Sequence, residues 1–527
     1  MRKHALFLAI IVFAAASGFF ILFHSQTHVH SDESIIGLMG KHILDGRQHL
    51  AVYMYGQAYN AAAAWEAYLA AASFAVFGVG VIPLKGCMLM LSLVCLVFFY
   101  GMAHTLYGPR IATLAALVFA LSPSLLKWHF QVRGYSFYFL SLPILTILFL
   151  RMDSGKARAR RAFLFGLLCG LSMFLLELVL TVVAALWLLL ALRRRLPIRS
   201  VLAGLGGFLA GYTPAIVFNF THDFSNWQEV FLSKTGSLSN STANSSSGLL
   251  HPGTLINIFI HEMPKFFGPD TVLWYYPETP ALGLVLYLVA LLAVAVALWP
   301  FVRQPKQILQ ALRGDSVDKS QDQDFLMLVL IAACFVPYIV APIRVPGYFL
   351  GGCFFLSILM ARLLDRCFSA SRTRQRLLGI VLLAAIVAAG VAALVEVGAT
   401  NQIETLTMTR SGNRGHFVMA RIPGRDIDAV ETHLRQNQIA AVWTTPSFVY
   451  PLTFESRETL AVSSEVFGGD RNVYPEGVPR RRPAAGERMA VVIESSSPFR
   501  RAVEASRTRV TGAAPVVTSC GTLAVIE

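Results

Sequence analysis

Long apolar runs broken by short basic or polar stretches dominate the chain, and most of the runs are of similar length. A helix crossing a bilayer needs roughly 20 mostly apolar residues, because hydrocarbon offers no partner to an unpaired amide. Runs of this kind occupy residues 5–24, 82–104, 110–128, 135–151, 161–176, 178–194, 201–220, 281–302, 325–342, 347–366 and 377–397. They predict about 11 membrane-spanning helices. The first run opens with MRKHALFLAI and continues as FFILF past the small residues Ala14 to Gly18, so it reads as an uncleaved anchor rather than a signal peptide.

Beyond residue 397 the pattern changes to frequent charges with both helical and alternating periods. DIDAVETHLRQNQ (426–438) predicts an amphipathic helix, IAAVWT and ETLAV two strands, and MAVVIES a third. SPFRRAVEASRTR predicts another helix and TLAVIE a last strand. The expected fold class is a polytopic α-helical membrane protein with juxtamembrane helices on its outer face and a small C-terminal α/β domain outside the membrane. The expected domains are 1–397, transmembrane, and 398–527, extracytoplasmic.

Composition agrees with the pattern. Of 527 residues, 55% are hydrophobic and 14% charged. The mean hydropathy of +0.59 is that of an integral membrane protein. The net charge of +14 is concentrated in Arg2 and Lys3, RMDSGKARARR (151–161), RRRLPIR (193–199), Arg303 to Lys319, and RLLDRCFSASRTRQR (362–376). An even number of predicted spans separates any two of these clusters, so all fall on one side, which the positive-inside rule makes cytoplasmic. Short loops between spans do not make one basic face, and nucleic acid is excluded as a partner. Counting AYNAAAAWEAYLAAASFAVFGV (58–79) as a span would break this parity, and Glu66 lies within it, so it is expected as a juxtamembrane or re-entrant helix. Three pieces then face outward: loop 25–81, loop 221–280 and the tail. Six of the seven cysteines lie in or beside spans, without a CxxC motif or a disulfide framework.

The chemistry-bearing stretch is FHSQTHVHSDESIIGLMGKHI, residues 23–43, just outside the first span. Ser31 or Asp32 is placed to cap the helix IIGLMGKHIL, ending near Gly46, since a carboxylate there meets free amides and the helix dipole. A carboxylate at a membrane–water boundary also suits general-base work, so Asp32 and Glu33 are the candidate catalytic acids. His24, His28 and His30 offer a competing metal reading with Asp32, although no HExxH motif is present. Outer cations are few: Lys85, Arg133 in WHFQVRGYSF and Arg344 in APIRVPGYF. Each could anchor to lipid headgroups, and three converging beside the acids would bind a phosphate or pyrophosphate. Glu177 is expected at the turn between the fifth and sixth spans. Glu66, Tyr135, His222, Asp223, His261 and Glu262 are candidate substrate contacts.

These features together resemble the glycosyltransferase-C superfamily, in its polyprenyl-phosphate-sugar-dependent branch of protein O-mannosyltransferases and aminoarabinose transferases. The DE pair after the first span is followed by GQAYNAAAAWEAYLAAASFAVFG, which looks like the family's juxtamembrane helices. LYGPRIATLAALVFALSPSLLKWHFQVRGYSFYFLSLPILTILFLRM is similar to its third and fourth spans, and RVPGYFLGGCFFLSILMARLL to its late arginine-bearing span. Two departures stand out. Arg133 is followed by Gly134, Tyr135, Ser136 and Phe137 where the family commonly has an acid, and no carbohydrate-binding repeat domain is present.

The resemblance implies transfer of a sugar from a polyprenyl-phosphate donor to a hydroxyl of a glycan, lipid or protein acceptor at the outer face, with inversion. It gives Asp32 the role of base with Glu33 beside it, and Lys85, Arg133 and Arg344 the donor phosphate. No cofactor is required, and a divalent cation stays open. A transporter or flippase of lipid-linked sugars is the rival class. Against it, charges gather at outer span ends and no repeated half is seen. The arginine-over-lysine bias fits a bacterial inner membrane, with the N-terminus cytoplasmic.

Overall fold

The structure, a computed structural model, describes residues 4–48, 52–53, 55, 63–123, 130, 132, 135–153, 159–193, 197–228, 256–267, 281–315, 318–340, 346–411, 414–464, 481–482, 484, 486–497, 500–511 and 513–527. The chain divides into two compact units. One holds residues 1–18, 61–63 and 88–396; the other holds 19–60, 64–87 and 397–527.

Among the described residues, the longer helices up to the end of the apolar region are α1 (Ala5–His24), α2 (Ser31–Leu44), α3 (Trp65–Phe77), α4 (Val81–Tyr107), α5 (Pro109–Ala120), α6 (Tyr135–Asp153) and α7 (Ala159–Leu175). They continue as α8 (Leu180–Leu192), α9 (Ile198–Thr221), α10 (Ala281–Arg303), α11 (Lys306–Arg313), α12 (Lys319–Val340), α13 (Leu350–Ser369) and α14 (Thr373–Ala399). Seven of the described helices, α1, α4, α6, α9, α10, α12 and α14, are long and apolar enough to cross a membrane. The expected count of eleven is not reached by this measure. Within the described parts of the runs at 110–128, 161–176 and 178–194 lie helices of 12, 17 and 13 residues. The run at 347–366 becomes α13, which carries Arg362, Asp365 and Arg366 toward its end. Within the segment 58–79, Trp65–Phe77 form a 13-residue helix, shorter than a bilayer crossing needs.

In the first unit, α13 is buried on every side from Leu350 to Ala361, the signature of a helix that is apolar all round. Phe354 on it meets the Phe99 ring edge-on at 4.5 Å, and Phe99 stacks on Phe119 at 4.7 Å. Helices α7 and α9 approach closely enough for backbone to touch backbone. A Cβ on Gly166 would lie 1.9 Å from the Gly204 carbonyl oxygen, and one on Gly211 2.1 Å from that of Leu167. Buried ion pairs close one end of this unit among the basic clusters. Arg193 joins Asp153 and, at 2.7 Å, Asp322; Asp324 is held by Arg362, by Arg366 at 2.7 Å and by the Tyr107 hydroxyl at 3.0 Å.

The second unit contains α2, α3, the start of α4 and the α/β tail. The tail opens with an antiparallel hairpin, β1 (Gln402–Ser411) and β2 (Arg414–Pro423), in register from Gln402 opposite Pro423 to Ser411 opposite Arg414. Then come α15 (Gly424–Gln436), β3 (Ala441–Thr444), α16 (Pro446–Glu455), β4 (Ala461–Ser463), β5 (Met489–Glu494), α17 (Arg500–Thr511), β6 (Val517–Cys520) and β7 (Leu523–Ile526). The five-stranded sheet runs in the order β4-β3-β5-β7-β6. Strands β4, β3 and β5 are parallel, and β7 is antiparallel to β5 and β6. One face buries Val491, Ile493 and Ile526 with Val503 of α17 over them.

Candidate active site

Helix α2 begins where the apolar run of α1 has ended, and its first turn is built by side chains from the HVHSDE stretch. The capping residue is His30, not Ser31 or Asp32 as the sequence suggests. Its Nδ1 accepts from the backbone N–H groups of Asp32 (3.2 Å) and Glu33 (3.4 Å), and Glu33 Oε2 accepts from the His30 N–H at 3.2 Å. This is a reciprocal capping box with an imidazole in place of a hydroxyl. Ser34 Oγ donates back to the His30 carbonyl at 2.6 Å. Asp32 and Glu33 both sit in the first turn, at the positive end of the helix dipole.

The two acids have different surroundings. Glu33 is buried, and its Oε2 lies 3.3 Å from Lys85 Nζ at the start of α4, with side chains 2% and 4% exposed. Lys85 also donates to Gln26 Oε1 at 3.0 Å. An ammonium has three donors, so among the described residues the Glu33 and Gln26 contacts leave one for a further acceptor. Asp32, one residue earlier, is half-buried and more open to solvent. The site therefore offers an accessible carboxylate next to a buried carboxylate–ammonium pair.

Around this turn, the α/β tail of the same unit grips α2 at several points. Glu455, the last residue of α16, accepts from the Val29 N–H at 3.1 Å through one oxygen and faces His28 Nδ1 at 3.1 Å through the other. His28 Nε2 lies 3.6 Å from Asp428. Burial alone would lower the His28 pKa, but the Glu455 hydrogen bond and the Glu455, Asp428 and Glu431 charges outweigh it and raise the value above 6.5. Burial, together with the Glu455 charge and hydrogen bond, pushes Glu431 up to about 7, against the opposing pull of His28 and Arg435. At the far end of α2, Glu458 takes Lys41 Nζ at 2.5 Å, His42 Nε2 at 3.0 Å and Arg47 Nη2 at 2.8 Å. Burial opposes ionisation of Glu458, yet the hydrogen bonds from His42 and Lys41 hold its carboxyl well below the usual range.

Of the residues expected from sequence, Asp32, Glu33 and Lys85 come together. Arg133 and Arg344 lie outside the described residues. The three histidines of the metal reading point to different partners: His24 bonds the Phe20 carbonyl and stacks on its ring, His28 meets the acids above, and His30 caps α2. Among the described residues no group of three or more His, Cys, Asp or Glu is placed to hold a metal ion. Glu66 is buried in the first turn of α3, and Tyr135 is buried as the first residue of α6. His222 follows α9, exposed, stacked on Phe218 at 4.0 Å, with Asp223 beside it in a left-handed conformation (φ 50°). His261 and Glu262 lie in a π-helical turn, Ile258–Glu262, where Glu262 accepts from Asn257 (2.7 Å) and Tyr338 (2.5 Å). Glu177 falls in a 3₁₀ turn, Glu177–Val179, between α7 and α8, as the sequence indicates. Glu455, Glu458 and Gln26 were not singled out from sequence; the two glutamates reach α2 across more than 400 residues of chain, a separation that no local pattern announces.

No family model matches the chain, and no curated protein matches it in sequence. Its fold is similar to that of ArnT from Cupriavidus metallidurans in the apo state, with a TM-score of 0.54 and 13% identity over 100% of this chain and 98% of that one. ArnT from the same organism bound to undecaprenyl phosphate gives 0.53 and 13%, over 99% and 97%. The archaeal oligosaccharyltransferase AglB from Archaeoglobus fulgidus, in complex with an inhibitory peptide and a dolichol-phosphate, gives 0.50 and 11%. In that case 86% of this chain covers 64% of the other. At these identities the likeness is one of fold.

Proposed function

We propose that the protein is an inverting membrane glycosyltransferase, moving a sugar from a polyprenyl-phosphate donor to an acceptor hydroxyl at the outer face. The observation that carries this reading is the Asp32–Glu33 turn against Lys85. It is supported by the fold shared with ArnT and AglB, solved with undecaprenyl phosphate and dolichol-phosphate. In the reaction, Asp32 takes the proton of the acceptor hydroxyl as its oxygen attacks the anomeric carbon. The bond from that carbon to the donor phosphate oxygen breaks, and the polyprenyl phosphate leaves with the electron pair. Fixed positive charge stabilises the leaving phosphate. Lys85 supplies it through its third donor, with Arg133 and Arg344 as further cations. Glu33 keeps the Lys85 ammonium in place, so the pair positions charge at a boundary where a free lysine would swing.

The test is mass spectrometry of envelope glycans and lipid-linked sugars in cells with and without the gene. The expected result is one sugar missing from the glycans of the deletion strain while its polyprenyl-phosphate form accumulates. Movement of the lipid-linked sugar across liposomes by purified protein, with no transfer product, would instead make it a flippase.

A further inference from the structure

Three groups at the end of one helix of the C-terminal α/β part meet α2 at its lead-in, its middle and its end. Glu455 takes the Val29 N–H and His28, and its side chain is 8% exposed. Phe454, fully buried, packs where Gly37 has no side chain; a Cβ there would lie 2.5 Å from the ring. Glu458 gathers Lys41, His42 and Arg47. Its backbone is in the left-handed region (φ 64°), as is that of Arg457 (φ 55°), a conformation that non-glycine residues hold only where the surroundings impose it. The strained turn aims the Glu458 carboxylate back at α2.

The lead-in matters most for chemistry. Only His30 and Ser31 separate Val29, tied to Glu455, from Asp32, and His30 caps the helix that Asp32 rides on. A shift of Val29 is therefore passed on to Asp32 with almost no slack.

Resting on the glycosyltransferase reading, we propose that Glu455 and Glu458 are positioning residues for the transfer, holding α2 by its two ends so that Asp32 stays aligned with the acceptor hydroxyl. The groups facing His28 are Glu455 from α16 and Asp428 and Glu431 from α15, with Arg435 acting on Glu431. Burial and the neighbouring Glu455 charge raise Glu431, which weakens the charge it sets against Glu455.

The experiment uses the full-length protein with Glu455→Ala, Glu455→Gln, Glu458→Ala and Asp32→Asn. Hydrogen exchange in nanodiscs follows peptides covering residues 25–36, and transfer is read in cells as the envelope-glycan mass shift that the wild-type gene restores to a deletion strain. Glu455→Ala is expected to speed exchange in that peptide and to cut transfer by about a hundredfold, the cost of a misplaced catalytic group. Glu455→Gln keeps an acceptor oxygen for the Val29 amide and should recover most of both. Transfer within about twofold of wild type in both Glu→Ala variants, with Asp32→Asn inactive, overturns the positioning role alone. A fully active Asp32→Asn protein, or a deletion strain without any glycan mass shift, overturns the glycosyltransferase reading and this inference with it.

Discussion

Glu33 and Lys85 face each other at 3.3 Å with almost no exposure to solvent, one in the first turn of α2 and the other at the start of α4. A buried pair of this kind adds little net stability, since both charges lose their water, but removing one partner strands the other. Lys85→Met should therefore destabilise the protein by about 3 kcal/mol. Lys85→Arg should keep the fold and alter donor binding, because a planar fork replaces a compact ammonium. Thermal unfolding and titration with undecaprenyl phosphate check the two effects; unchanged stability and affinity in Lys85→Met would remove the pair from the account.

The imidazole cap gives a second prediction. His30→Ala removes the acceptor for two backbone N–H groups and should cost about 1 kcal/mol, and His30→Asn or His30→Ser should restore most of it. Exchange of the Asp32 and Glu33 amides reports this directly. An Ala variant that exchanges like wild type would mean that the cap is dispensable.

Packing between α2 and its neighbours allows a third. A Cβ on Gly40 would fall 2.8 Å from that of Ala70, and one on Gly37 inside the Phe454 ring contact. Gly37→Ala should cost about 1–3 kcal/mol through overpacking. The double variant Gly37→Ala, Phe454→Leu should recover part of that, measured as a shift in the unfolding midpoint.

Stability should fall as pH rises through neutrality. His28 and Glu431 both hold their protons more tightly in the folded protein than their ordinary values of 6.5 and 4.5. Their contribution is complete below those ordinary values and is lost as pH climbs through the folded ones, which for Glu431 is about 7. Glu458 works the other way, its contribution lost only as pH drops below 4.5 toward its depressed value. Over about pH 5.5 to 8 the unfolding midpoint should decline, and Glu431→Gln should flatten the decline. A midpoint that rises across this range contradicts the assignment.

Much of this arrangement is legible in the sequence because the bilayer imposes a length and turn chemistry a pattern. The amphipathic period of DIDAVETHLRQNQ became α15, and MAVVIES and TLAVIE became the paired strands β5 and β7. Helix α16 was missed because PSFVYPLTFE holds Pro451 in its interior, which reads as a break, although the structure runs a helix through it. The β1–β2 hairpin and β6 were also missed. The closeness of the DE pair and Lys85 follows from their place at span ends. The cap was misassigned because imidazole is not an expected capping group, and Glu455 and Glu458 act through tertiary contacts that only folding creates.

In the proposed transfer, Asp32 removes the acceptor proton. The direct measurement is transfer of tritiated sugar from polyprenyl phosphate to endogenous acceptor in membranes carrying wild-type or Asp32→Asn protein at equal levels. A loss of about a hundredfold or more is expected in a folded variant, the usual contribution of a general base. Transfer at close to the wild-type rate would contradict it.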